Sequence, residues 1–106
     1  MIVCVIEFGT APGMEDRRRE LVAEMIVEAQ TVEGFISKET FSSFDNAGKV
    51  ITLSYWKDRE SLDRWMKNAE HRRVIPIGRK ELFTHYTIQL AEVVSEKTWT
   101  RPAARP

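Results

Sequence analysis

The chain has 106 residues, 42% hydrophobic and 30% charged, which is the composition of one soluble globular domain and not of a disordered chain. Sixteen basic and sixteen acidic residues cancel, so nothing argues electrostatically for nucleic acid or an anionic membrane surface as partner. A single cysteine, Cys4, excludes an internal disulfide, has no ligand-spaced partner, and reads as a small buried hydrophobe.

Ile2 to Phe8 is apolar and β-branched, the pattern of a strand, and Thr10-Ala11-Pro12-Gly13 breaks it. A helix is expected from Met14 to about Thr31, because Leu21, Val22, Met25, Ile26 and Ala29 recur at helical steps. Glu15 and Asp16 fall in its first turn, where the helix dipole favours negative charge. The run Arg17-Arg18-Arg19 lies among acids and reads as a solvated face, and Gly34 closes the segment. Phe35 to Ser43 and Lys49 to Trp56 form an antiparallel hairpin around Asp45-Asn46-Ala47-Gly48, whose residues suit a tight turn. Asp58 caps a second helix with Leu62, Trp65, Met66 and Ala69 on one face. His71 to Arg79 continues it as a bent or broken helix, with Pro76 removing a backbone donor and Gly78 offering a stop. Phe83 to about Val94 is the last strand, with Tyr86, Ile88 and Leu90 on one face. Residues 95–106 form a loose polar tail in which the large aromatic Trp99 is out of place unless it packs on a partner chain.

The order βαββαβ implies an α+β, ferredoxin-like domain over residues 1–94: a four-stranded antiparallel sheet with its helices on one face. The opposite face still carries apolar side chains, and a second copy of the chain is the simplest cover, so a homodimer is expected. No apolar run reaches the roughly 20 residues that span a bilayer, and no basic-then-apolar leader is visible. The cytoplasm is the expected compartment, with no membrane partner.

Several strings taken in order resemble the antibiotic-biosynthesis monooxygenase family. They are Glu7-Phe8 before Pro12-Gly13, Glu33-Gly34-Phe35, Ile51-Thr52-Leu53-Ser54-Tyr55-Trp56, Leu62-Asp63-Arg64-Trp65, Glu70-His71-Arg72, Gly78-Arg79, and Tyr86 ahead of an alternating strand. The resemblance covers about residues 2–94. It implies a dimeric α+β barrel with a pocket in each subunit between sheet and helices. It also implies oxygenases that need no cofactor and act on polyphenolic or quinone-like molecules, haem-degrading enzymes, or neither, since a fold hosts many chemistries.

Glu7 and His71 are the candidate catalytic groups. Glu7 stands in an apolar strand, where a carboxylate costs several kcal/mol unless paired. It reads either as a pocket base or as half of an ion pair with Arg72 or Arg79. His71 titrates near neutrality and suits proton transfer from a phenol, or is a hydrogen-bonded residue of a helix end. Trp65 reads as a wall for a flat aromatic ligand or as core; Trp56 and Tyr86 are further wall candidates. Arg79 reads as an anion partner or as the mate of Glu7.

Two histidines and one cysteine, far apart, do not make a metal site, and five scattered glycines make no nucleotide loop. No cofactor is therefore expected, with haem as the alternative. Against haem, the haem-degrading branch of the resembled family carries asparagine where this chain has Glu7. That branch also places its ligand histidine about one turn beyond His71, where this chain has Ile75. A dimeric module that binds a small molecule without catalysis is the third reading.

Overall fold

Alternating branched and aromatic residues drive four segments into strands, and the helices between them carry apolar residues at three- and four-residue steps. The computed structural model describes residues 1–104. Its elements run β1 (Ile2–Thr10), α1 (Glu15–Ala29), β2 (Phe35–Ser42), β3 (Lys49–Trp56), α2 (Arg59–Met66), α3 (Ala69–Ile77) and β4 (Phe83–Glu92), with a wide helical turn at Gly78–Leu82 before β4. The four strands form one antiparallel sheet in the order β2-β3-β1-β4, the ferredoxin-like arrangement the sequence implies.

The helices cover one face. Leu21, Met25 and Ala29 of α1 and Leu62 and Trp65 of α2 are buried there, against Cys4, Phe8 and Trp56 of the sheet. Trp56 has no exposed surface, and its indole N–H donates to Ser54 Oγ at 3.0 Å, so its polar atom is satisfied inside the core. Gly34 holds φ of +90° in the turn before β2, and Ser61 occupies the space where a side chain would stand. That close approach seats α2 against the turn, and Arg64 Nη2 donates to the Glu33 carbonyl at 3.0 Å from the same side.

Three local expectations are corrected. The second helical segment breaks at Lys67-Asn68, ahead of Pro76, which stays inside α3. Asn68 causes the break by capping a new helix: its Oδ1 accepts the His71 amide at 3.0 Å, and its Nδ2 donates to Glu28 of α1 at 3.2 Å. Gly78 keeps helical angles and opens the wide turn, so it is no stop. Arg18 leaves the solvated face expected of its run. It belongs to the same helical stripe as Leu21 and Met25, is 9% exposed, and lays its guanidinium 5.9 Å from the Phe8 ring centroid.

β2 carries a bulge between Phe35 and Ser37, with Ile36 as the extra residue. Phe35 packs on the core, and beyond the bulge Lys38 and Thr40 face the helices while Glu39 and Phe41 face away. The uncovered face is apolar at its centre: Val3 opposes Tyr55, Val5 opposes Leu53, and Phe41 opposes Ile51. Residues 95–104 have no regular structure, and Trp99 is 75% exposed. The last two positions of the expected tail, Arg105 and Pro106, lie outside the described residues.

Candidate functional site

The helices do not seal against the sheet everywhere. A cavity of about 200 Å³ remains between them, lined mostly by apolar side chains. Its floor is Cys4, Ile6 and Phe8 of β1, and its roof includes Met25 of α1 and Val74 and Ile75 of α3. Two nitrogen bases interrupt this lining, His71 and Lys38.

His71 is placed by the α3 cap. With its own amide held by Asn68, the side chain turns in and stacks on Trp65 at 4.3 Å between ring centroids and 21° between planes. Burial, reinforced by the nearby Lys38 charge, lowers its pKa from 6.5 to about 4, so the ring is neutral at physiological pH. Its Nδ1 is buried and has no hydrogen-bond partner. The Trp65 carbonyl favours a proton on the ring without reaching hydrogen-bonding geometry. A neutral imidazole carries one nitrogen lone pair, so the ring keeps one acceptor.

Lys38 reaches the cavity because of the β2 bulge. Its Nζ lies 4.8 Å from the Trp65 ring centroid. Burial lowers its pKa from 10.5 to about 8, and the Cys4 thiol alone works in the opposite direction. None of the ion pairs among the described residues includes it. Burial in turn raises the pKa of the Cys4 thiol, against Ser54 and Lys38, so Cys4 behaves as the small hydrophobe its strand suggests and is no nucleophile.

The other candidates separate. Trp65 lines the cavity but is 3% exposed, and its ring is already engaged by Trp56, His71 and Lys38. It is thus both core and wall. Trp56 lies behind it, stacked at 6.0 Å, and does not reach the cavity. Arg79 and Tyr86 line the cavity together, with Arg79 Nε donating to Tyr86 Oη at 2.7 Å. Glu7 is elsewhere. As an odd-numbered residue of β1 it points to the face away from the helices, where it pairs with Lys49 at 3.2 Å, and neither Arg72 nor Arg79 is its mate. Its side chain is 43% exposed on that face. Lys38 was not legible as a site residue. Among the described residues no three His, Cys, Asp or Glu side chains are grouped to hold a metal.

Residues 1–76 match the antibiotic biosynthesis monooxygenase family. The chain belongs to that family. A protein of Pyricularia oryzae named jasmonate monooxygenase is 25% identical over 95 residues, 90% of this chain and 44% of its own length. The chain spans between 44% and 63% of the length of the curated relatives it matches. A Mycobacterium tuberculosis protein of solved structure superposes with a TM-score of 0.82 at 16% identity, covering 92% of this chain and 98% of its own. SnoaB of Streptomyces nogalater, a cofactor-independent oxygenase, superposes with a TM-score of 0.79 at 12% identity, covering 90% of this chain and 94% of its own. Those two likenesses are of fold. Among the described residues, no helix is long and apolar enough to cross a membrane.

The depressed pKa of His71 has a sign that stability can report. Below pH 6.5 the unfolded chain takes up a proton that the folded protein accepts only near pH 4. Stability present above pH 6.5 is therefore lost as pH falls towards 4. In urea denaturation, His71→Gln should flatten the pH dependence between about 6.5 and 5, above the range of ordinary carboxylates. An unaltered slope would mean that the imidazole titrates as freely in the folded protein as in the unfolded one.

Proposed function

We propose that the protein is a cofactor-independent monooxygenase whose cavity takes a small, flat hydroxyaromatic molecule, a polyphenol or quinol. The observation that carries this reading is the neutral His71, with a ring nitrogen available as acceptor, set in a mostly apolar cavity. The volume of about 200 Å³ suits one or two fused rings, since about 150 Å³ accommodates benzene. Phe8, Phe83 and Tyr86 offer ring faces, and Trp65 offers its remaining surface.

The base is assigned to His71 and not to Glu7, which lies across the sheet from the cavity. His71 accepts the hydroxyl proton, and the electron-rich substrate anion then supplies the electrons that O₂ needs. At a ring C–H ortho or para to the ionised oxygen, a carbon–oxygen bond forms and the carbon becomes a hydroperoxide. Loss of water leaves a quinone carbonyl: one oxygen atom enters the product, and the other leaves as water with the hydroxyl proton, returned by His71, and the hydrogen of the C–H. An empty-site pKa near 4 makes the imidazole a weak base by itself. The substrate anion raises that value as it forms, by giving the imidazolium an opposite charge in a water-poor site. Arg79, with Tyr86, supports negative charge at the cavity edge.

Haem is the second reading of the family, and the cavity does not fit it. A porphyrin exceeds a drug-sized ligand, and such ligands occupy about 300–1,000 Å³. The side chain one turn beyond His71, Ile75, lines the cavity and offers iron no ligand.

We infer further that the apolar sheet face of Val3, Val5, Leu53 and Tyr55 is covered by a second copy, making a homodimer. Sedimentation equilibrium at micromolar concentration should give twice the chain mass, and the double change Val5→Glu, Leu53→Glu should give a monomer or a poorly soluble chain. A wild-type protein that sediments as a stable monomer would exclude this cover.

The activity is tested by oxygen uptake with 1,4-naphthohydroquinone and related anthrones, with jasmonate added because a relative is named for it. His71→Gln should lower turnover about 10²–10⁴-fold, the usual worth of a positioned base. Glu7→Gln should stay near wild type. Turnover lost in Glu7→Gln and kept in His71→Gln would reverse the assignment, and no oxygen uptake with any substrate would favour a binding module.

A further inference from the structure

Lys38 is a cation of the cavity wall that the reaction above does not use. Its surroundings differ from those of the charged groups that form surface ion pairs. Glu7, Asp16, Asp63 and Glu70 each have a basic partner within 4 Å, all at the surface. The Lys38 ammonium instead lies over the Trp65 ring, beside the Cys4 thiol and the His71 imidazole, with no carboxylate in contact. A ring face attracts a cation, but it does not replace an anion in a desolvated site. An ion this poorly compensated is costly unless something else completes it.

We propose that Lys38 is the anion anchor of the cavity, so that the ligand is an apolar, ring-sized molecule bearing one oxyanion, a carboxylate or an ionised hydroxyl, held against the Lys38 ammonium. The proposal deepens the functional reading, because it rests on the same cavity being the ligand site. The geometry supplies the selectivity. Of the two cations in the mostly apolar lining, Arg79 is engaged by Tyr86 and Lys38 has no polar mate, so a ligand with a single oxyanion satisfies the Lys38 charge, and a neutral isostere leaves it unpaired. His71 lies close enough for the Lys38 charge to act on it. An oxyanion on Lys38 therefore also sits where it relieves the like-charge penalty against a protonated His71. The lowered pKa of Lys38 agrees with this placement: the folded chain keeps the cation at neutral pH only against its desolvation, and a bound oxyanion removes that penalty.

The test uses 1-naphthoate and its neutral isostere 1-naphthamide, titrated calorimetrically against the full chain at pH 7. Wild type should bind naphthoate at least about tenfold tighter than the amide, a difference typical of one charge-assisted contact. Lys38→Met, which keeps the stem and removes the charge, should bind both probes equally, retain the amide affinity within about threefold, and melt at the same or a higher temperature. Lys38→Arg should restore the preference. A second readout needs no variant. In the ¹³C spectrum of wild type, naphthoate should raise the midpoint of the Lys38 Cε titration, read beside Cys4 and His71, the titratable groups that face it from β1 and α3. Equal affinities in wild type, no binding of naphthoate, or a preference that survives Lys38→Met would each overturn the proposal. Oxygen plays no part in these measurements. A protein that prefers naphthoate through Lys38 yet takes up no oxygen loses only the monooxygenase reading. One that oxidises quinols equally well with Met at position 38 and shows no carboxylate preference loses only the anchor.

Discussion

Trp65 is held between two neighbours, and much of the remaining architecture follows from that stack. Trp56 beneath it is anchored by its own hydrogen bond to Ser54 and by the edge of Phe35 at 5.3 Å. Trp65 stacks on Trp56 from α2, and His71 stacks on Trp65 from α3. Three elements are thereby tied to one another through flat, rigid side chains with few rotatable bonds. Rigid rings cannot collapse into adjacent space as a leucine can, so the space beyond the stack stays open and becomes the cavity. The same side chains that stabilise the fold thus set the shape of the site.

The strands and first helix were legible because alternation and helical spacing are strong local signals. The β2 bulge is where alternation misleads. Counting in twos from Phe35, which packs on the core, assigns Ser37, Glu39 and Phe41 to the helix side and Lys38 to the other. The extra residue Ile36 reverses this, and a one-residue slip flips every side chain that follows. Lys38 thereby enters the cavity and Phe41 is left on the uncovered face. No turn residue or glycine at that point announces the bulge; it is decided by how Phe35 meets Trp56.

Two other differences have local causes that the chain does contain. In β1, Cys4, Ile6 and Phe8 occupy the helix side, which by the same alternation puts Glu7 outside. Reading the strand as apolar on both faces hid this parity, and Lys49, on the strand beside it, is its mate. At Asn68 the amide side chain competes with the helical backbone, a common role of asparagine. The consequence is functional, because a new cap at Asn68 restarts the helix and sets the direction in which His71 projects.

Many polar side chains find mates: Glu7 with Lys49, Asn68 with Glu28 and Asp58 with Ser61 outside the cavity, and Arg79 with Tyr86 in its lining. Three buried side-chain atoms among the described residues lack partners, on Thr10, Arg18 and His71, and of these residues His71 alone lines the cavity. It shares that wall with Lys38, whose charge is likewise uncompensated. Both groups are held below their ordinary pKa values by the same burial, and each worsens the position of the other when both are protonated. A core selected for stability alone would replace such a pair with apolar residues of similar volume at little cost or some gain. Two nitrogen bases on one apolar wall, each short of a partner, are instead complementary to a ligand that brings a proton to one and a negative charge to the other.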